Sequence, residues 1–146
     1  MLSIKHILVP TDFSDPSERA LAMAIELARA FDAQLSLLHV WSVPNTGYAE
    51  ALSWPIDAMG AAARRALDDA LASTTKLYAK TDAVLREGSE SKMVLEVVDA
   101  LGIDLVVMGT HGRRGLSRLV LGSVAEKVVR LCPVPVLTVA APPEPK

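Results

Sequence analysis

Short aliphatic runs alternate along the chain with longer stretches in which apolar residues recur every three or four positions. Ile4 to Val9, Leu35 to Val40, Leu105 to Met108 and Val134 to Val139 are each too short for a typical helix, and all but the second are rich in β-branched residues. Short aliphatic runs of this kind mark strands buried on both faces, as in a parallel sheet covered by helices. A fifth run, Asp82 to Glu87, holds Val84 and Leu85 between charges and predicts an edge strand. The first helical period opens at Asp15-Pro16-Ser17-Glu18, which offers an N-cap, a first-turn proline and a capping-box glutamate. Leu21, Ala24, Ile25 and Ala28 then share one face, and the helix is expected to end near Phe31. A second helix is predicted from Ile56 to Ala79, with Met59, Ala63, Leu67, Leu71 and Tyr78 inward and Arg64, Arg65, Asp68 and Asp69 in solvent. A third runs from Ser89 to Leu101 and stops at Gly102. The fourth starts at Ser123, carries Val124, Val128 and Leu131, and is ended by Pro133.

Strict alternation of strand and helix implies an α/β fold with right-handed crossovers. The expected architecture is an open, parallel five-stranded sheet in the order 3-2-1-4-5 with helices on both faces, Rossmann-like. The residues fit one domain over 1–141, with a disordered tail at 142–146 (Pro-Pro-Glu-Pro-Lys). The connection Ser42 to Pro55 is the long one, and loops of that length are either functional or mobile.

Composition narrows the function classes. Hydrophobic residues are 51% of the 146 and charged residues 22%, which excludes intrinsic disorder. Fifteen Lys and Arg against seventeen Asp and Glu give a net charge of −2, so no global field draws the chain to nucleic acid or to an anionic membrane. Aromatics, at 4%, are too few for a base-stacking platform. No apolar run reaches the roughly 18 residues of a membrane span, and no signal peptide is legible. The lone Cys132 suits a reducing compartment, so a cytoplasmic location is expected.

In an open parallel sheet, ligands bind beyond the carboxyl ends of the strands, where strand order reverses. Two segments stand there: Pro10-Thr11-Asp12-Phe13-Ser14 after strand one, and the Gly109 to Ser123 segment after strand four. In the second, Gly109, Gly112 and Gly115 would let backbone amides approach an anion. Gly122 and Ser123 open a helix whose dipole favours phosphate, and Arg113, Arg114 and Arg118 could neutralise charge. The glycines alone are equally well explained by a turn-rich loop with a serine cap. There is no Gly-Lys pair for a P-loop and no Gly-x-Gly for a dinucleotide fingerprint. His6, His39 and His111 lie on separate elements without metal-ligand spacing, so no protein-held metal is expected. His39 reads as a hydrogen-bonded core histidine, His111 as a loop residue beside a nucleotide, and Cys132 as a core filler.

Gly109-x2-Gly112-x9-Gly122-Ser123 resembles the ATP-binding motif of the universal stress protein family. The resemblance extends to Ile7-Leu8-Val9-Pro10-Thr11-Asp12-Phe13-Ser14, Leu38-His39-Val40, Asp104 to Gly109, and Cys132 to Leu137. It covers nearly the whole chain in the family's order and implies the branch that binds ATP, with Mg²⁺. It also implies that Asp12 approaches the ribose and that Val40 and its neighbours border the adenine. Gly109, Gly112, Arg113, Gly122, Ser123 and Val124 would surround the phosphates, and Pro10, Thr11, Met108, His111 and Ala125 complete the implied cofactor-binding set. A homodimer through the last strand, Val134 to Val139, is implied as well; its edge position agrees, since an uncovered aliphatic edge invites pairing. Three functions are then open. A regulatory nucleotide-binding stress protein with at most slow ATP hydrolysis is favoured. A dimerising interaction module independent of nucleotide is the alternative. An enzyme of the related adenine-nucleotide α-hydrolase type comes last, for want of a His-x-Gly-His motif or an acceptor-substrate domain.

Overall fold

The structure, a computed structural model, describes residues 2–44, 54–111 and 121–140. Strands and helices alternate among these residues: β1 (His6–Pro10), α1 (Asp15–Phe31), β2 (Gln34–Trp41), α2 (Ile56–Leu77), β3 (Thr81–Glu87), α3 (Glu90–Leu101), β4 (Leu105–Gly109), α4 (Ser123–Leu131) and β5 (Val136–Val139). The strands are all parallel, in the order β3-β2-β1-β4-β5. This is the α/β, Rossmann-like sheet that the alternation of runs predicts. Strand order reverses between β1 and β4, which pair in parallel through Ile7 with Leu105 and Leu8 with Val106.

Side chains leave a strand alternately to its two faces, so each strand feeds two cores. On one face Ile7, Val9, Leu35, Leu37 and Val107 pack against Ala20, Leu21, Ala24, Ile25 and Ala28 of α1 and Leu67 of α2. On the other, Leu8, Leu38, Val106 and Met108 meet Val94, Val97 and Val98 of α3 and Ala125 and Val128 of α4. Complete burial of a side chain such as Leu67 contributes about 1.5–3 kcal/mol relative to leaving it in water.

Several boundaries differ from the periodicity for identifiable reasons. The N-cap of α1 is Ser14 rather than Asp15, with Pro16 in the first turn. Helix α2 ends at Leu77 rather than Ala79, because Tyr78 turns extended and its hydroxyl donates to the Ala33 carbonyl at 2.5 Å and the Ala28 carbonyl at 3.2 Å. The last strand begins at Val136 rather than Val134: Pro133 and Pro135 have no N–H to donate, although the Pro135 carbonyl still accepts from the Val106 amide. Leu131, expected inward on the fourth helix, is 57% exposed, and Ala125 and Val128 do the packing instead. Gly102, with φ 64°, closes α3 as the C-cap that its position suggests. Most of the Ser42–Pro55 connection and the tail lie outside the described residues.

Candidate functional site

The turn after β1 is held by its own side chains. The Ser14 amide donates to Asp12 Oδ1 at 3.0 Å, Ser17 Oγ donates to the same oxygen at 2.6 Å, and the Ser14 hydroxyl donates to it as well. Ser17 Oγ also accepts from the Asp12 amide at 3.2 Å. This clasp keeps Phe13 at φ 65°, a left-handed backbone that a bulky residue rarely adopts and that must be held by its surroundings. The Phe13 ring lies 4.5 Å from the His39 ring, and His39 Nδ1 donates to the Thr11 carbonyl at 2.9 Å. With the Thr11 amide on the Leu38 carbonyl, these contacts tie the turn to the end of β2. The expectation of a hydrogen-bonded His39 thus has its partner.

At the end of β4, Gly109 lies directly against α1. A Cβ there would stand 2.9 Å from Pro16 Cβ and 3.0 Å from Pro16 backbone. At Gly122 a Cβ would meet the Thr110 carbonyl oxygen at 3.0 Å, the same oxygen that accepts from the Gly122 amide at 2.7 Å. Both glycines therefore have a packing reason to be glycine, independent of any ligand. Thr110 Oγ1 lies 2.9 Å from His111 Nδ1. Helix α4 then starts at Ser123 with no side-chain cap on its first turn. The first amides of a helix have no intrahelical acceptor, so this turn directs N–H groups and the positive end of its dipole outward.

These segments enclose a cleft of about 560 Å³ at the carboxyl ends of the strands. Of the residues singled out from sequence, Pro10, Thr11, Asp12, Val40, Met108, Gly109, His111, Gly122, Ser123, Val124 and Ala125 all line it. Gly112 and Arg113, like Arg114, Gly115 and Arg118, lie outside the described residues. The lining also includes residues that the sequence did not assign to a ligand: Ser17, Leu38, His39, Trp41, Glu90, Val94 and Thr110. The carbonyl of Trp41 accepts from the Gly88 amide, and its indole packs on Gly60 of α2, where a Cβ would sit 3.0–3.2 Å from the ring. Gly88, at φ 144°, turns the chain from β3 so that Glu90 begins α3 at the rim. Glu90 keeps much of its surface in solvent. Partial burial of its carboxyl raises its pKa, with the charge of Asp12 as the second cause. No group of three or more His, Cys, Asp or Glu that could hold a metal occurs among the described residues. No helix among them is long and apolar enough to cross a membrane.

The sequence model of the universal stress protein family matches residues 3–140. The chain belongs to the universal stress protein family. A universal stress protein of Methanocaldococcus jannaschii is 35% identical over 141 residues, covering 94% of this chain and 83% of its own. Universal stress protein UspA from Lactobacillus plantarum superposes with a TM-score of 0.80 at 25% identity, over 95% of this chain and 99% of its own. A universal stress protein solved in complex with cAMP shares the fold at 24% identity, with a TM-score of 0.63 over 94% of this chain and 98% of its own. The fold shared with these proteins includes the sheet order β3-β2-β1-β4-β5.

Proposed function

We propose that the chain binds ATP in this cleft and acts as a regulatory stress protein, with hydrolysis slow at most. The observation that carries the reading is the uncapped first turn of α4 opening into a cleft at the strand-order reversal. A helix N-terminus of this kind suits phosphate, through free amides and the macrodipole together. The volume, about 560 Å³, falls within the roughly 300–1,000 Å³ usual for small-molecule sites. Asp12 would accept from the ribose, Val40 would border the base, and Gly109, Gly122, Ser123, Val124 and Ala125 would face the phosphates. Gly112 and Arg113 are assigned to the phosphates by their place in the motif. Mg²⁺ would arrive on the phosphate oxygens and neutralise their charge; the described residues supply no cage of their own. One protein of the same fold holds cAMP. At that identity it speaks for the fold, and the reading here rests on the cleft.

The test is to heat-denature the freshly purified chain and identify released nucleotide by mass spectrometry, then titrate the emptied, refolded protein with MgATP. Recovered ATP or ADP together with saturable binding is expected. An empty protein that ignores added MgATP would return the chain to the interaction-module reading, which the packing roles of Gly109 and Gly122 already accommodate.

The homodimer belongs to the same proposal. Strand β5 lies at the sheet edge and Leu137 is 38% exposed on it. Val136 and Val139 pack inward against the two cores, so a test of the interface belongs on Leu137. Light scattering should report twice the 15.6 kDa monomer mass for the wild type, and Leu137→Lys should shift it toward monomer. The lone Cys132, half-buried beside the second core, is consistent with the cytoplasmic location proposed with it.

A further inference from the structure

The first turn of the uncapped helix α4 lines the cleft, and so do two carboxylates, Asp12 just past the end of β1 and Glu90 at the start of α3. The described lining contains no lysine or arginine. Asp12 is close enough that its charge acts on Glu90, while no hydrogen bond or ion pair engages the Glu90 carboxylate among the described residues. An ionised carboxylate only accepts hydrogen bonds, so a ligand group held by these two must donate.

We propose that Glu90 sets the ligand specificity of this cleft: with Asp12 it forms a two-carboxylate wall that accepts from a free ribose 2′,3′-diol and rejects nucleotides bearing a 3′-phosphate. The inference rests on the nucleotide reading above and assigns Glu90 a role that the glycine motif does not. A vicinal diol brings two donors to two acceptors. Phosphorylation at the 3′ oxygen removes one donor and sets a dianion beside two negative charges, and like charges brought together at an interface are strongly disfavoured. Trp41, held against Gly60 on the same cleft, supplies an intrinsic optical signal for occupancy.

The full-length chain is titrated with AMP and with adenosine 3′,5′-bisphosphate, ligands that differ only in the 3′-phosphate, using calorimetry and tryptophan fluorescence. The wild type should prefer AMP by at least about tenfold, a factor equivalent to about 1.4 kcal/mol. In Glu90→Gln the ratio of the two dissociation constants should fall about fivefold, the scale of one exposed charge interaction. Glu90→Lys should push it further toward the bisphosphate. Thermal melts of both variants confirm that the ratio is read on folded protein. A wild-type chain that binds AMP with the same ratio as Glu90→Gln overturns this inference and leaves the nucleotide reading standing. A wild type that binds neither AMP nor ATP overturns both.

Discussion

At the amino end of the sheet, His6, Ser36 and Asp82 stand on the neighbouring strands β1, β2 and β3; at the carboxyl end, Asp12, Glu90 and the first turn of α4 surround an open cleft. The first set has the residue types of a hydrolytic triad, yet its bonds close on themselves. Ser36 is fully buried, lies 2.7 Å from His6 Nε2, and donates to the Asp82 carboxylate. Nearby, the Asp104 carboxylate accepts from the Lys5 and His6 amides at 2.8 and 3.0 Å. Polar groups at that end answer one another, whereas at the opposite end helix amides and a carboxylate face a space large enough for a ligand. Residue types therefore locate chemistry poorly, and a set of polar groups gains access to a substrate only where the fold keeps it open.

The sharpest way to break the contrast is Gly109→Val. Its new side chain would collide with Pro16, and overpacking against backbone costs up to about 3 kcal/mol. Chemical denaturation should show the loss without ligand present, and MgATP titration should show weakened binding as well. Ser36→Ala tests the closed end. Removing the shared hydroxyl leaves His6 and Asp82 without their common partner, at about 1–3 kcal/mol. Stability should fall while ATP affinity stays within error; a parallel fall in affinity would show that the two ends are coupled. Asp12→Ala is smaller in stability, about 1 kcal/mol as for a lost cap, because the Ser14 and Ser17 hydroxyls lose their acceptor. Its ATP affinity should fall about tenfold, and a normal affinity at reduced melting temperature would assign Asp12 to the turn alone.

Glu90→Gln has the smallest expected effect on the unliganded protein, and its sign is fixed. Folding raises the Glu90 pKa above its ordinary value of 4.5, so the folded chain holds this proton more tightly than the unfolded chain. Its contribution to stability is complete below the unfolded pKa and is lost as pH rises through the folded one. Melting curves should thus place Glu90→Gln slightly above the wild type near neutral pH, with the advantage vanishing below about pH 4. A variant that gains nothing at neutral pH would show that solvent at the rim fully hydrates the carboxylate.

Much of this was legible in the chain because short β-branched runs such as Ile4 to Val9 and Leu105 to Met108 read as covered strands, and their order with the helices leaves few topologies. Asp12 and the residues around Gly122 were legible from their place at strand ends. Glu90 was not: an acidic residue in a first helical turn is ordinary, and only the turn at Gly88 brings it to the rim. Ser17 was hidden likewise, since a serine two positions after Asp15 reads as helix initiation, whereas its hydroxyl clasps Asp12. Trp41 extends its strand by one residue past the aliphatic run, so nothing in the periodicity marked it as lining a cleft. The glycines were visible, but their packing against Pro16 and Thr110 depends on tertiary contacts that spacing does not carry.

The contact of Pro16 with Gly109 also decides where this protein can be redesigned. It locks the start of α1 onto the end of β4, so the floor of the cleft cannot be varied without moving a helix. The half-exposed positions at the rim carry no such lock. A library aimed at new ligands should therefore hold 109 and 122 as glycine and diversify Val40 and Glu90. Trp41 should be kept as the built-in reporter, changed only together with Gly60, whose bare backbone its ring occupies.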